Sequence, residues 1–411
     1  MINEMLKGLT SAKAMELEEK YGAHNYHPIP VVIAKGKGAL VWDVEGKQYY
    51  DFLSAYSAVN QGHCHPKIVE AMVEQASTLT LTSRAFYSNM LGIYEKYITE
   101  YFGYDKVLPM NSGAEADETA LKLCRKWAYK VKGIEQNQAK IICCIENFHG
   151  RTITMVSMST DPVAYSDYGP YTPGFVKIPF NDLEALEKEL QDPNVAGFIV
   201  EPIQGEAGVF VPDDGYLKKA YELCKKYNVL FIADEVQTGL ARTGKLLACD
   251  HENVRPDILV LGKALSGGAM PISAVLADDE IMLTIQPGEH GSTYGGNPLA
   301  ARVAIAALQV LKDEKLAERA EYLGEIFRSE MRKIDSEMIE TVRGKGLLNA
   351  VVIKPKNGKE AWDVCLKMKE LGVLAKPTHG DIIRFAPPLV ITEEQLRDAI
   401  SIIKTAILSF E

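Results

Sequence analysis

Val229-Leu-Phe-Ile-Ala-Asp-Glu-Val-Gln-Thr-Gly239 and Asp257-Ile-Leu-Val-Leu-Gly-Lys-Ala-Leu-Ser-Gly-Gly-Ala269 follow one pattern: an apolar, β-branched run that stops at a polar residue or a glycine. Such runs predict strands buried on both faces of a parallel sheet. Lys140–Ile145 and Ala196–Val200 read the same way, with helical patterns between them over Asp182–Leu190 and Tyr216–Tyr227. The alternation predicts an α/β domain. Sheets of this class bind ligands beyond the carboxyl ends of their strands, so the residues that follow each run are the candidates for chemistry.

Outward from this centre the pattern changes. From Pro298 a long helical stretch, Leu299–Lys312, leads into a second, Leu316–Lys333. A smaller α+β unit follows, with strands near Leu347–Ile353 and Ile382–Ala386. Its last helix opens at Thr392-Glu-Glu-Gln, a capping box ahead of Leu396, Ile400 and Ile403. The first fifty residues, with a hairpin near Ala39–Tyr50, are expected to pack on this smaller unit. The expected division is therefore 1–50, a large domain 51–297, and a linking helix with a small domain 298–411.

A chain of 411 residues exceeds the size at which one hydrophobic core stops growing, which agrees with more than one domain. Its formal charge of −10 argues against nucleic-acid partners, which require a basic face. No apolar stretch is long enough to suggest a membrane span. Seven cysteines, odd in number and without a CxxC pair, suit packed thiols in a reducing compartment. Glu4, Glu16, Glu18 and Glu19 argue against a transit peptide, so a cytoplasmic protein is expected, with a processed mitochondrial-matrix enzyme as the alternative.

Lys263 follows a buried strand and is ringed by small residues. It could be a snorkelling lysine, the ordinary fate of such a residue. It could equally be an amine of depressed pKa poised for Schiff-base chemistry. Asp234 favours the second reading. A strand-end aspartate commonly caps a turn, but pyridoxal 5'-phosphate needs a carboxylate against its ring nitrogen to remain a good electron sink. Asp234 and Lys263 belong to neighbouring β-α units and can share one crevice, with Gln237 placed to bond the phenolic oxygen of the ring. Asn111-Ser-Gly-Ala-Glu-Ala opens the helical run Glu115–Tyr129. There the backbone amides of Ser112, Gly113 and Ala114 are the candidate phosphate donors.

Two motifs mislead. Gly239-Leu-Ala-Arg-Thr-Gly-Lys-Leu matches GxxxxGK, yet Leu246 stands where a magnesium-binding Ser or Thr is required. Gly62-His-Cys-His-Pro66 lacks a second ligand pair at a fitting spacing, so it reads as a turn and no metal is expected.

With these residues in place, the chain resembles the class III (ω-amino acid) aminotransferases of pyridoxal-phosphate fold type I. The resemblance extends from Tyr21-Gly-Ala-His-Asn-Tyr-His-Pro to Arg384-Phe-Ala-Pro-Pro-Leu. It includes Val59-Asn-Gln-Gly-His-Cys-His-Pro, Val200-Glu-Pro-Ile-Gln-Gly-Glu-Ala-Gly and Gly288-Glu-His-Gly-Ser-Thr-Tyr-Gly-Gly-Asn-Pro. It implies a large domain around a mostly parallel seven-stranded sheet, beside a smaller α+β domain. Lys263 would then be the Schiff-base lysine and proton shuttle, and Phe148 would stack on the cofactor ring. Thr293, beside Ser292, would reach the phosphate of a neighbouring subunit, which implies a homodimer. Arg151 would grip a substrate carboxylate through its planar fork.

Within the family, Tyr26 and Tyr56 match the tyrosines of the ornithine-acting branch. The resemblance thus implies transfer of the δ-amino group of ornithine to 2-oxoglutarate, giving glutamate 5-semialdehyde and glutamate. Glu206 would mask Arg384 for one substrate and release it for the other; the competing reading is a static salt bridge. Ser112 and Ala114 replace the threonine and frequent valine of some relatives, at positions where the contacts are through backbone. His149 replaces a tryptophan of certain ornithine enzymes and is shared with acetylornithine aminotransferases. Acetylornithine or 4-aminobutyrate transamination is therefore the nearest alternative. A non-catalytic cofactor-binding regulator is the alternative of another class; it would need a basic extension or a lost lysine, and this chain has neither.

Overall fold

The computed structural model describes residues 2–411. A small amino-terminal sheet comes first, built from β1 (Ile33–Lys37), β2 (Leu40–Asp43) and β3 (Gln48–Asp51). The central sheet has seven strands: β4 (Lys106–Met110), β5 (Lys140–Cys144), β6 (Phe175–Ile178), β7 (Val195–Val200), β8 (Leu230–Asp234), β9 (Ile258–Leu261) and β10 (Ser273–Ala277). Their spatial order is β4-β10-β9-β8-β7-β5-β6. Neighbours from β9 to β6 pair in parallel, and only β10 is reversed, antiparallel to both β4 and β9. This is the α/β architecture expected of fold type I.

The four strands expected from the sequence lie in the interior of the sheet, and every residue of β7, β8 and β9 is buried. Burial on both faces is why these segments are apolar without alternation. Strands β4, β6 and β10 lack that uninterrupted apolar signal. The first two are the sheet edges, where Pro109 and an exposed Lys177 are tolerated because one side of the strand is unpaired. The third, Ser-Ala-Val-Leu-Ala, is short and rich in small residues.

Helix Pro298–Asp313 begins at Asn297, whose side chain accepts the Ala300 amide at 2.8 Å, and Pro298 occupies the first turn, where no amide is needed. Helix Leu316–Arg332 follows. A third sheet comprises β11 (Ile339–Lys345), β12 (Leu348–Ile353), β14 (Lys376–Thr378) and β15 (Ile382–Phe385), in the order β11-β12-β15-β14. The intervening β13 (Val373–Leu374) instead pairs with β3, so the amino-terminal hairpin is stitched to the carboxy-terminal region. The Thr392 capping box opens helix Glu393–Leu408 as the sequence predicts.

Two features of this frame bear on the site. Ser54, Ala55, Tyr56 and Ser57 all have positive φ, at 48°, 45°, 58° and 74°. A left-handed turn of four non-glycine residues is uphill by about 1–2 kcal/mol per residue. Arg242 is fully buried and has no carboxylate partner among the described residues. Its guanidinium donates to Asn60 Oδ1 at 2.6 and 3.1 Å and to the carbonyls of Leu347 and Pro387 at 3.0 and 2.7 Å. Burial pushes its pKa down to about 9, against a small opposing effect of Asp51. The His63-Cys64-His65 cluster is a turn: Cys64 has φ 51°, His63 bridges to Gly38, and His65 bonds Glu314. All seven cysteines are free thiols, and only Cys64 is exposed.

Candidate active site

A cavity of about 170 Å³ opens at the carboxyl ends of β5, β7, β8 and β9. Asp234 is the last residue of β8, and Lys263 follows β9 by two residues; both line the cavity, with Gln237, Phe148, Gly113 and Ala114. Six of the sequence-selected residues therefore meet in one place.

The floor is a buried acidic cluster. Asp234 Oδ1 accepts the Val236 amide at 3.0 Å, which closes the turn after the strand, and Oδ2 pairs with His149 Nδ1 at 2.7 Å. His149 Nε2 and Asp117 Oδ1 are buried without partners. Burial alone would lower the His149 pKa, but the hydrogen bond and charge of Asp234, with the charge of Glu201, raise it overall. Glu201, the residue after β7, is pushed up to about 7 by burial, opposed by His149 and reinforced by Asp234; its Oε2 accepts the Phe148 amide at 3.0 Å. Asp117 is raised well above the carboxylate range by burial, then by Asp234 and Glu201.

Lys263 sits at φ 41°, a strained conformation at the point where the strand must turn its amine into the cavity. Burial lowers its pKa, against the pull of Asp234, Glu206 and Glu201, and Arg384 lowers it further. Asp117, His149 and Asp234 have ligand atoms within 4.8 Å of one another, a donor set that a cation could use. Lys263 also faces the cluster: its charge draws Asp117 down, and it acts on Glu201 after the larger effect of His149.

The cavity suits a flat ring carrying a phosphate. Phe148 and Val236 supply apolar wall, and two unpartnered buried polar atoms point to a polar edge awaiting a partner. At the other end helix Gly113–Trp127 begins. A Cβ at Gly113 would fall 2.9 Å from Val236 Cγ1, so only glycine keeps this approach open. The expectation for Ser112 requires correction. Its amide is taken by Glu115 Oε2 at 2.8 Å, and its hydroxyl accepts the Glu115 amide at 3.3 Å, a closed capping box. The free amides that could face an anion are those of Gly113 and Ala114.

Around the mouth, Arg384 on β15 donates to Glu206 Oε2 at 2.7 Å, and its guanidinium lies 4.7 Å from the centre of the Tyr56 ring. Burial would raise the Glu206 carboxyl, yet the Arg384 charge and hydrogen bond hold it below the usual range. Arg151 is exposed, lies 5.5 Å from the Phe148 ring centre, and has no ion-pair partner among the described residues. Tyr26 is 77% exposed, in a separate cleft, close enough for its phenol to act on Tyr56. Ser292 accepts from the Asn111 side chain at 2.9 Å, while Thr293 lines a different cleft with Arg84 and Phe86. Tyr26 and Thr293 do not line the Lys263 cavity of their own chain, and Tyr26 meets it only through Tyr56.

Asp117 and Glu201, which no motif marks, and His149, which carries no chemical role in the sequence pattern, complete the site. Glu201 follows β7 immediately, even closer than Lys263 follows β9, so the strand-end rule also singles it out. Asp117 lies one helical turn after Gly113, on the same face.

Comparison with known proteins agrees with this site. Residues 21–407 match the family model for class-III aminotransferases. The mitochondrial ornithine aminotransferase of Rattus norvegicus is 65% identical over 401 residues, covering 98% of this chain and 91% of that protein. A Toxoplasma gondii ornithine aminotransferase structure, with partial occupancy of pyridoxal phosphate at its active site, superposes with a TM-score of 0.98. It is 53% identical, covering 100% of this chain and 96% of that one. An acetylornithine aminotransferase structure from Elizabethkingia anophelis gives a TM-score of 0.90 at 63% identity, covering 98% of this chain and 100% of that one. The chain belongs to the class-III aminotransferases, enzymes that use pyridoxal phosphate to transfer amino groups.

Proposed function

We propose that this enzyme transfers the δ-amino group of L-ornithine to 2-oxoglutarate, yielding glutamate and glutamate 5-semialdehyde, which cyclises to pyrroline-5-carboxylate with loss of water. The observation that carries the reading is the Arg384–Glu206 pair beside Tyr56, at the mouth of the Lys263 cavity. A donor whose reacting amine is far from its α-carboxylate must be prevented from seating that carboxylate next to the cofactor. Glu206 does this by holding Arg384 through Nη1, and the exposed Arg151, without an ion-pair partner among the described residues, is left to take the distant carboxylate with Tyr26. Glutamate reacts at its α-carbon and needs Arg384 for its α-carboxylate, so Glu206 must release it, and Arg151 then takes the side-chain carboxylate.

Pyridoxal phosphate, when bound, supplies an aldehyde for amines and a protonated ring that accepts electrons from a deprotonated carbon. Gly113 and Ala114 would hold its phosphate through backbone amides, with Thr293 contributed by the neighbouring subunit of a homodimer. Asp234 would keep the ring nitrogen protonated, Gln237 would bond the phenolic oxygen, and Phe148 would cover the ring. Lys263 Nζ, whose proton affinity is lowered by burial, is the base that moves a proton between the carbons flanking the transferred nitrogen. In this reading residues 51–297 bind the cofactor and residues 298–411 supply Arg384. No helix among the described residues is long and apolar enough to cross a membrane. The mitochondrial rat relative supports the matrix alternative to a cytoplasmic enzyme.

A half-reaction panel tests the proposal. The cofactor-loaded enzyme is mixed in turn with ornithine, acetylornithine, 4-aminobutyrate and lysine, and the loss of visible absorbance is timed. Ornithine should react fastest and yield pyrroline-5-carboxylate; faster reaction with acetylornithine would reassign the substrate.

A further inference from the structure

We infer that Asp51 is a positioning residue that sets the choice between the two substrates by holding Tyr56 in its left-handed turn; this rests on the pocket roles proposed above. Ser54, Ala55, Tyr56 and Ser57 include no glycine or asparagine, yet all sit at φ between 45° and 74°. Nothing intrinsic to these residues favours that conformation, so the surroundings must impose it.

Asp51 is the buried end of β3, and both of its oxygens are in use. Oδ1 accepts the amides of Leu53 and Ser54, each at 2.9 Å, at the entry to the turn. Oδ2 pairs with His63 Nε2 at 2.7 Å. His63 is in turn fixed by a two-way backbone bridge to Gly38, at 2.9 and 3.0 Å. The carboxylate therefore cannot rotate without abandoning either the turn or the imidazole. A second tie links the turn to Arg384: the Ala386 amide donates to the Phe52 carbonyl at 2.7 Å, two residues beyond Arg384 on one side and four before Tyr56 on the other. The Tyr56–Arg384 contact thus belongs to a frame whose polar anchor is Asp51.

If the turn relaxed to right-handed geometry, the Tyr56 ring would leave the Arg384 guanidinium. Ornithine, which reacts only when Arg384 is masked, would then suffer more than glutamate, which uses Arg384 directly. Asp51 touches neither substrate nor cofactor in this scheme and acts on the substrates through Tyr56.

The test measures kcat/KM in each half-reaction, with glutamate and with the best ω-amine from the substrate panel, for the holoenzyme and four variants. Asp51→Ala should lower the ω-amine-to-glutamate ratio by about tenfold or more. Asp51→Asn, whose amide oxygen still accepts both backbone amides, should restore it to within about threefold. In a Tyr56→Ala background, adding Asp51→Ala should leave the ratio within about twofold of Tyr56→Ala alone. Equal loss with both substrates, or additive ratios in the double variant, overturns the proposal. If Asp51→Ala does not fold, His63→Ala, which removes only the Oδ2 partner, must shift the ratio in the same direction; an unchanged ratio overturns the proposal equally. A wild-type preference for another amine would remove ornithine as the substrate, while the ratio test on Asp51 proceeds with that amine.

Discussion

Arg384 is gripped on one side by Glu206, at 2.7 Å from its Nη1, and faced on the other by the Tyr56 ring, 4.7 Å from its guanidinium carbon. Its Nε remains buried and unpartnered. Glu206 thus holds the guanidinium through Nη1, and the unpartnered Nε completes the fork for a substrate carboxylate once Glu206 withdraws. Substitution of Glu206 separates the switch from the static bridge. Glu206→Ala should slow δ-transfer from ornithine, permit some α-transfer, and preserve or accelerate the glutamate half-reaction. Chromatography of the cyclised products is the check: pyrroline-2-carboxylate should appear beside pyrroline-5-carboxylate. Pyrroline-5-carboxylate alone, at an unchanged ornithine-to-glutamate rate ratio, would show the pair to be static.

Lys263→Ala should fold normally and still take up cofactor without a covalent link, because Asp234 and the Gly113–Ala114 amides are untouched. Its lysine-dependent visible absorbance should vanish, and turnover should fall by about 10²–10⁴-fold or more, the usual weight of a positioned proton-transfer group. Spectra and single-turnover rates decide this. Wild-type turnover in the absence of added amine would rule Lys263 out.

Tyr56→Ile should reduce kcat/KM for ornithine more than for 4-aminobutyrate. Loss of one good polar contact corresponds to about 1–3 kcal/mol, or roughly tenfold to a few hundredfold. Steady-state kinetics with both amines provides the comparison. Parallel losses would make Tyr56 a packing residue.

His149 offers a prediction in pH. Its pKa is raised on folding because Asp234 and Glu201 outweigh the effect of burial. A raised value means stability that is complete below the unfolded histidine value of about 6.5 and lost as pH rises through the folded value. The melting-temperature advantage of wild type over His149→Phe should therefore be largest near pH 6 and shrink towards alkaline pH. A difference that stays constant with pH would remove His149 from the charge network.

Much of the fold was readable because its central strands are buried on both faces and therefore written in uninterrupted apolar residues. Lys263 and Asp234 stood out because strand ends are where such a sheet meets its ligand, and Glu201 obeyed the same rule unnoticed. The Ser112–Glu115 capping box was visible as Ser-x-x-Glu, and it could have warned that the Ser112 amide was spoken for. The left-handed turn was not readable. It has no glycine to mark it, and its cause lies in Asp51 and His63, which only the folded chain brings to one carboxylate. For Thr293 the sequence named the residue, but one chain alone does not bring it to the Lys263 cavity.

Arg242 limits how substrate exchange can occur. Its guanidinium spans Asn60 and the Leu347 and Pro387 carbonyls, and the last of these lies three residues beyond Arg384. Swinging the carboxy-terminal unit away from the cavity would strip a buried cation of its neutral acceptors, a costly exposure in a dry interior. Alternation between a diamine and a dicarboxylate must then be carried by rotamer changes in Glu206 and Arg384 against a stationary backbone. Turnover should accordingly be insensitive to solvent viscosity, whereas an enzyme gated by a moving lobe slows in proportion.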